Sequence, residues 1–207
     1  MGGADVQNKE RALSTGDRVA LALFILAGAF IAITSVSMAT VRIVELTSGA
    51  TIPVSVEFID APAIATAGDE SLPVLIDTGV VTVTGLPTTG VVPGVLGQIA
   101  FAVTAAGLVA ALITLSLRIL RGTVFNRTNT RLVMGAAILA LVGAAAARFF
   151  DNMLAGAAMA HVTEGSFDTA VLTVEPFPYL LGAFAAAIVG TVFVVGDRLQ
   201  RDTEGLV

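Results

Sequence analysis

The sequence predicts a membrane all-α fold, a four-helix transmembrane bundle with a small extracellular β-sheet formed from the two outer loops. Three observations predict it. Four apolar runs occupy residues 19–41, 94–120, 132–150 and 177–196; basic residues gather on one side of these runs; and the chain changes character abruptly over 42–93. A helix of roughly 20 apolar residues crosses the hydrocarbon core of a bilayer, about 30 Å thick, and each run has about that length or more. With 56% hydrophobic and 13% charged residues and a mean hydropathy of +0.91, the chain is far from the balance of a water-soluble domain. Four spans use about half of the 207 residues, so a single membrane domain is expected, with no separate enzymatic domain.

In chain order, residues 1–18 form a tail before the first span at 19–41. A cleaved signal peptide is the competing reading, because a basic stretch precedes the run and Ser37-Met38-Ala39 offers small residues to a peptidase. Signal h-regions run about 7–15 residues, and this run exceeds that, so it reads as an anchor. Ser14 and Asp17 have the spacing of a capping box, which suits a stable helix start.

The stretch 42–93 gains Pro, Gly, Thr and Asp. Within it, 52–60 alternates Val54, Val56 and Phe58 with Ser55, Glu57 and Ile59, and 73–78 and 80–85 are two short β-branched runs. Asp77 to Gly79 between them reads as a hairpin turn. The second span, 94–120, is followed by an inner loop at 121–131 and the third span at 132–150. The outer loop 151–176 carries a further candidate strand at 170–175, expected to join the others in one sheet, because an isolated hairpin is marginal in water. The fourth span is 177–196 and a tail follows at 197–207. Small residues recur every fourth position, at Ala102, Ala106 and Ala110, at Ala136, Ala140 and Ala144, and at Gly182, Ala186 and Gly190. These stripes predict close helix packing, which in lipid is a main source of association.

Charge fixes the expected orientation. Lys9, Arg11, Arg18, Arg118, Arg121, Arg127, Arg131, Arg198 and Arg201 lie on one side of the spans; Arg42 and Arg148 lie on the other with ten carboxylates. Lys and Arg in short loops favour the cytoplasm, so both termini are expected there, in a plasma membrane. The net charge of -5 hides this asymmetry, and no direct nucleic-acid binding is expected.

No constellation for catalysis or cofactor binding is legible. The absence of cysteine excludes disulfides, thiolate metal sites and thiol redox chemistry. No G-x-S-x-G and no phosphate-cradling G-x-x-x-x-G-K-[ST] occurs, so the chain is read as a non-enzyme without cofactors. Arg148 and Arg118 are the two charges inside the apolar runs, Arg118 at the inner end of the second. An intramembrane charge suggests a functional site, but Arg148 lies at the outer end of its span, three residues before Asp151. The two are expected to form an interfacial ion pair while the arginine stem snorkels. His161 is the sole histidine, and with Glu164 it makes H-x-x-E, too few donors for a metal site. An exposed loop histidine is the plainer reading.

Two inner segments are more distinctive. One runs through Gly122, Phe125, Asn129 and Arg131, the other through Gly196, Leu199, Asp202 and Glu204. Helix punctuation explains much of both: Gly122 can end the second helix, and Asn126, Thr128 or Asn129 can cap the third. Their arginines also suit an anionic inner leaflet. The G-x-x-F-x-x-x-N loop and the F-x-x-G-x-x-L-Q-x-D-T-E-G-L-V ending resemble the bacterial membrane family called domain of unknown function 2975. The resemblance covers the four-span layout of most of the chain, while its specific motifs are confined to these two segments. It implies a four-span bacterial membrane protein without an assigned activity, encoded beside a small helix-turn-helix regulator, and transfers no catalytic residue. The expected function is therefore a non-enzymatic interaction, sensory or regulatory membrane component, with the lipid bilayer and such a regulator or another membrane subunit as partners. A small transporter or channel subunit is the alternative, and a surface enzyme using Asp151, Asn152 and His161 is a third.

Overall fold

The computed structural model describes residues 15–67, 70–120, 126–165 and 176–204. Four helices, α1 (Thr15–Thr47), α2 (Thr88–Leu120), α3 (Arg127–Val162) and α4 (Pro176–Glu204), flank two strands, β1 (Ile52–Ala67) and β2 (Glu70–Val83), inserted between α1 and α2. All four helices are long and apolar enough to cross a membrane. Pro176 opens α4 in the first turn, where a missing N–H costs nothing. The third helix is 36 residues long, about 54 Å at 1.5 Å per residue, well beyond the roughly 30 Å of a hydrocarbon core. Helix thus runs on past the expected third and fourth spans, through Val162 into 151–176 and through Glu204 into 197–207. Polar residues did not stop either helix, and neither did Gly156 or Gly196, because the helix formers around them outweigh the cost of about 1 kcal/mol for one glycine.

The chain divides into two compact units: Met1–Ser37 with Ala102–Gly143 and Pro176–Val207, and Met38–Phe101 with Ala144–Glu175. In the first, helical unit, glycines set the seams. Gly28 of α1 meets Val109 and Ile113 of α2, Gly107 of α2 meets Leu139 of α3, and Gly143 of α3 receives Thr104. On α4, Gly182 meets Leu141 and Gly190 takes Met134, so the predicted stripe works there. On α2 and α3 it holds in part: Ala102, Ala106, Ala136 and Ala140 are half-buried, while Ala110 and Ala144 are exposed. At 3.6 residues per turn, a four-residue step drifts about 40° around the helix, so a third position leaves a straight seam. Large apolar side chains cover the outside of this unit, among them Phe30 at 71%, Ile138 at 58% and Phe184 at 65% exposure.

The second unit is built on an antiparallel hairpin, β1 with β2, two strands among the described residues. The expected alternation on β1 is found: Ile52, Val54 and Val56 are buried, joined by Val83 of β2, and pack against Leu46 of α1 and Leu154, Ala158 and Met159 of α3. The expected turn at Asp77 to Gly79 is not. Strand β2 runs straight through it, and pairing extends to Ala67↔Glu70. Gly79 pairs with Val56 and lies under Phe58, where a Cβ would stand 2.9 Å from the ring. The glycine serves a close approach rather than a reversal. The strand predicted at 170–175 and the capping serine Ser14 lie outside the described residues.

The ladder is irregular between Glu57 and Ala61, and burial changes there. Beyond it, Ile64 (73%) and Leu72 and Leu75 (65% each) are exposed, so the distal half of the hairpin has little to pack against. Ladder amides of 61–67 and 70–76 are expected to exchange with solvent deuterium faster than those of 52–57 and 78–83. Equal protection along the hairpin by exchange mass spectrometry would contradict this.

Candidate functional site

The helix extensions and the proximal hairpin bring together the two arginines that stand apart from the basic side of the sequence. Arg42 and Glu45 are three residues apart on α1 and so share a face. Nη1 of Arg42 donates to Glu45 Oε2 at 2.9 Å, and Nη2 donates to the carbonyl of Pro53 on β1. From α3, Nη2 of Arg148 donates to Oε1 of Glu57 on β1. The first strand is thus tied by one guanidinium on each of two helices. Glu57↔Thr78 is the last regular pair before the ladder irregularity, a location where such features commonly re-aim side chains.

These groups line a cleft of about 240 Å³, together with Val54, Ser55, Thr78, Gln98 of α2, and Asp151, Asn152, Leu154 and Ala155 of α3. Helix α2 comes close because residue 97 is glycine: a Cβ there would lie 3.3 Å from Asp151 Oδ1. Asp151 lines the cleft, where desolvation raises its carboxyl above the usual carboxylate range against the opposing charges of Arg148 and Arg42. Asn152 is different, since its Nδ2 is buried and has no hydrogen-bond partner among the described residues. A buried amide donor without an acceptor costs on the order of 1–3 kcal/mol. Counting formal charges, Arg42 and Arg148 face Glu45, Glu57 and Asp151, which leaves one negative charge in excess.

The partner in direct contact with Arg148 is therefore Glu57, 91 residues away in sequence. Asp151, the expected partner, stands beside the pair and interacts with Arg148 through its field. The sequence reading named Arg148 and Asp151 but not Arg42, Glu57, Gln98 or Asn152 as members of one site.

His161 and Glu164 have a simpler role. His161 is exposed in the last turn of α3, and Glu164, at φ 52°, ends the helix, with the N–H of Gly165 donating to the carbonyl of Ala160 at 3.0 Å. This is a Schellman cap with a non-glycine residue in the left-handed position. No group of three or more metal-ligating side chains occurs among the described residues.

The two distinctive inner segments are placed in part. Gly122 and Phe125 lie outside the described residues. Among the three capping candidates, Asn126 is the one used: its Oδ1 accepts from the Asn129 N–H at 2.7 Å. Asn129 is fully buried, and its Oδ1 accepts from Arg118 of α2 at 3.4 Å. Arg131 is exposed on α3. Gly196, Leu199, Asp202 and Glu204 all lie on the continuous helix α4, with Leu199 61% exposed. No family model, curated protein or solved structure matches the chain.

Proposed function

We propose that the chain is a multi-pass bacterial plasma-membrane protein with cytoplasmic termini, serving as a non-enzymatic interaction or sensory component. Membrane residence is supported by the four long apolar helices and by exposed side chains such as Phe30 and Phe184, which water would not tolerate in such density. Orientation is supported by nine of the eleven basic residues lying on the side of the termini.

The observation that carries the sensory reading is the cleft of the hairpin unit. It gathers charged and amide side chains on helices continuous with the apolar segments. The exposed Arg131 and Leu199 offer contacts to a partner such as a cytoplasmic regulator, as the family resemblance implies. The transporter alternative draws less support, because Arg148 is held by Glu57.

Affinity capture from detergent-solubilised cells, with residues 199–207 intact or deleted, tests the partner half of the proposal. Capture of at least one protein is expected to be lost on deletion, and identical capture would end the role of that segment.

A further inference from the structure

We infer that the cleft binds a small zwitterion, an amino-carboxylate of the size of a free α-amino acid, with its ammonium on Asp151 and its carboxylate between Asn152 and the two arginines. This deepens the sensory reading by naming the class of signal, and it rests on that reading.

The lining groups define the ligand by what they can exchange with it. The Asp151 carboxylate accepts only, is exposed to the cleft, and belongs to the set of side chains with one negative charge in excess. It calls for a cationic donor. Asn152 provides the opposite requirement: a buried N–H donor pair with no acceptor among the described residues. Its terminal torsion is soft, so the amide can turn toward the cleft at small cost. The guanidiniums of Arg42 and Arg148 line the same space and favour an anionic acceptor beside that amide. Ser55, Thr78 and Gln98 add groups that both donate and accept.

A simple cation would answer Asp151 and leave Asn152 without an acceptor. A simple anion would do the reverse and add to the excess negative charge. A molecule with both ends satisfies both. At about 240 Å³ the cleft is below the size of drug-binding sites, which begin near 300 Å³, so the ligand is small. The apolar contribution to the lining comes from Val54, Leu154 and Ala155.

The test uses the full chain in mild detergent, with isothermal titration and thermal shift against glycine, alanine, serine, glutamine and glutamate. The one-ended analogues ethylamine and propionate are titrated at the same concentrations. At least one amino acid is expected to bind, with both analogues at least about tenfold weaker, the worth of one charge-assisted hydrogen bond. Asp151→Asn and Asn152→Asp, each nearly isosteric, are expected to weaken it by at least about tenfold while keeping the elution profile of the parent. Should either variant fail to fold, the analogue comparison alone decides. The inference is overturned if no amino acid binds at millimolar concentration, if ethylamine or propionate binds as well as the amino acids, or if both folded variants bind like the parent. Loss of zwitterion binding with retained tail-dependent capture would remove the ligand class alone; loss of both would remove the sensory reading.

Discussion

Leu154→Ala is expected to destabilise the hairpin unit by about 2–5 kcal/mol, the range for truncating a buried leucine whose surroundings collapse only in part. Leu154 is 6% exposed on α3, where it meets the buried face of the hairpin and contributes to the wall of the cleft. Its neighbours are placed by backbone. Residue 94 of α2 is a glycine whose Cβ would lie 3.4 Å from Leu154 and 3.0 Å from Leu46, so little slack exists for the helices to close in. The comparison is Leu180→Ala on α4, where the side chain is 66% exposed and its removal empties no core. Detergent-solubilised variants followed by exchange at 52–57 and 78–83 measure the difference. A loss below about 1 kcal/mol, or equal losses for the two variants, would mean that this cluster does not hold the unit together.

The effect matters for function because the hairpin carries Ser55, Glu57 and Thr78 of the cleft on one side of its strands and the core on the other. Successive strand residues point to opposite faces, so Val54 and Val56 pack into the core while Glu57 meets Arg148 of α3 and Ser55 lines the cleft. Packing and recognition are thus two faces of the same hairpin.

The four helices were legible because a run of apolar residues at spanning length carries its own signal, and local hydrogen bonding then fixes the helix. Their ends were less so: Asp151 and Asn152 look like the start of a loop by polarity, yet Met153, Leu154, Ala155, Ala157 and Ala158, good helix formers, carry α3 through Gly156 to Val162. The hairpin was legible at Ile52 to Phe58, where one face is buried and alternation is strict. It was misread at Gly79, because a glycine needed for a turn and one needed under a ring leave the same letter. The site was half legible. Arg148 and Asp151 stand out as an expected pair at the end of a span, whereas Arg42 stands out only as the other basic residue on the acidic side. What joined them to Glu57 and Gln98 was tertiary contact over tens of residues, which no local pattern encodes.

Asn129→Leu is expected to cost about 1–3 kcal/mol, despite the added apolar volume, because it removes the buried acceptor of a half-buried cation. Asn129 is fully buried, and its Oδ1 lies 3.4 Å from Nη1 of Arg118 at the end of α2, while Ser116, also buried, returns its own hydroxyl to the carbonyl of Leu112 at 2.8 Å. At the inner end of the helical unit the Arg118–Asn129 contact thus joins α2 to the first turn of α3, beyond the glycine seams at Gly107 and Gly143. The backbone N–H of Asn129 is held separately by Asn126, so the two asparagines act on different groups. Asn126→Ala should cost about 1 kcal/mol, the worth of a cap, and should leave the Arg118 contact in place. If Asn129 instead served mainly as a surface for a partner, Asn129→Leu would leave the melting of the purified protein unchanged and abolish capture of that partner. Burial of the side chain argues for the first outcome, with capture affected only as far as the fold is. The exposed Arg131, two residues on, is the position where Arg131→Ala should do the opposite, sparing stability and weakening capture.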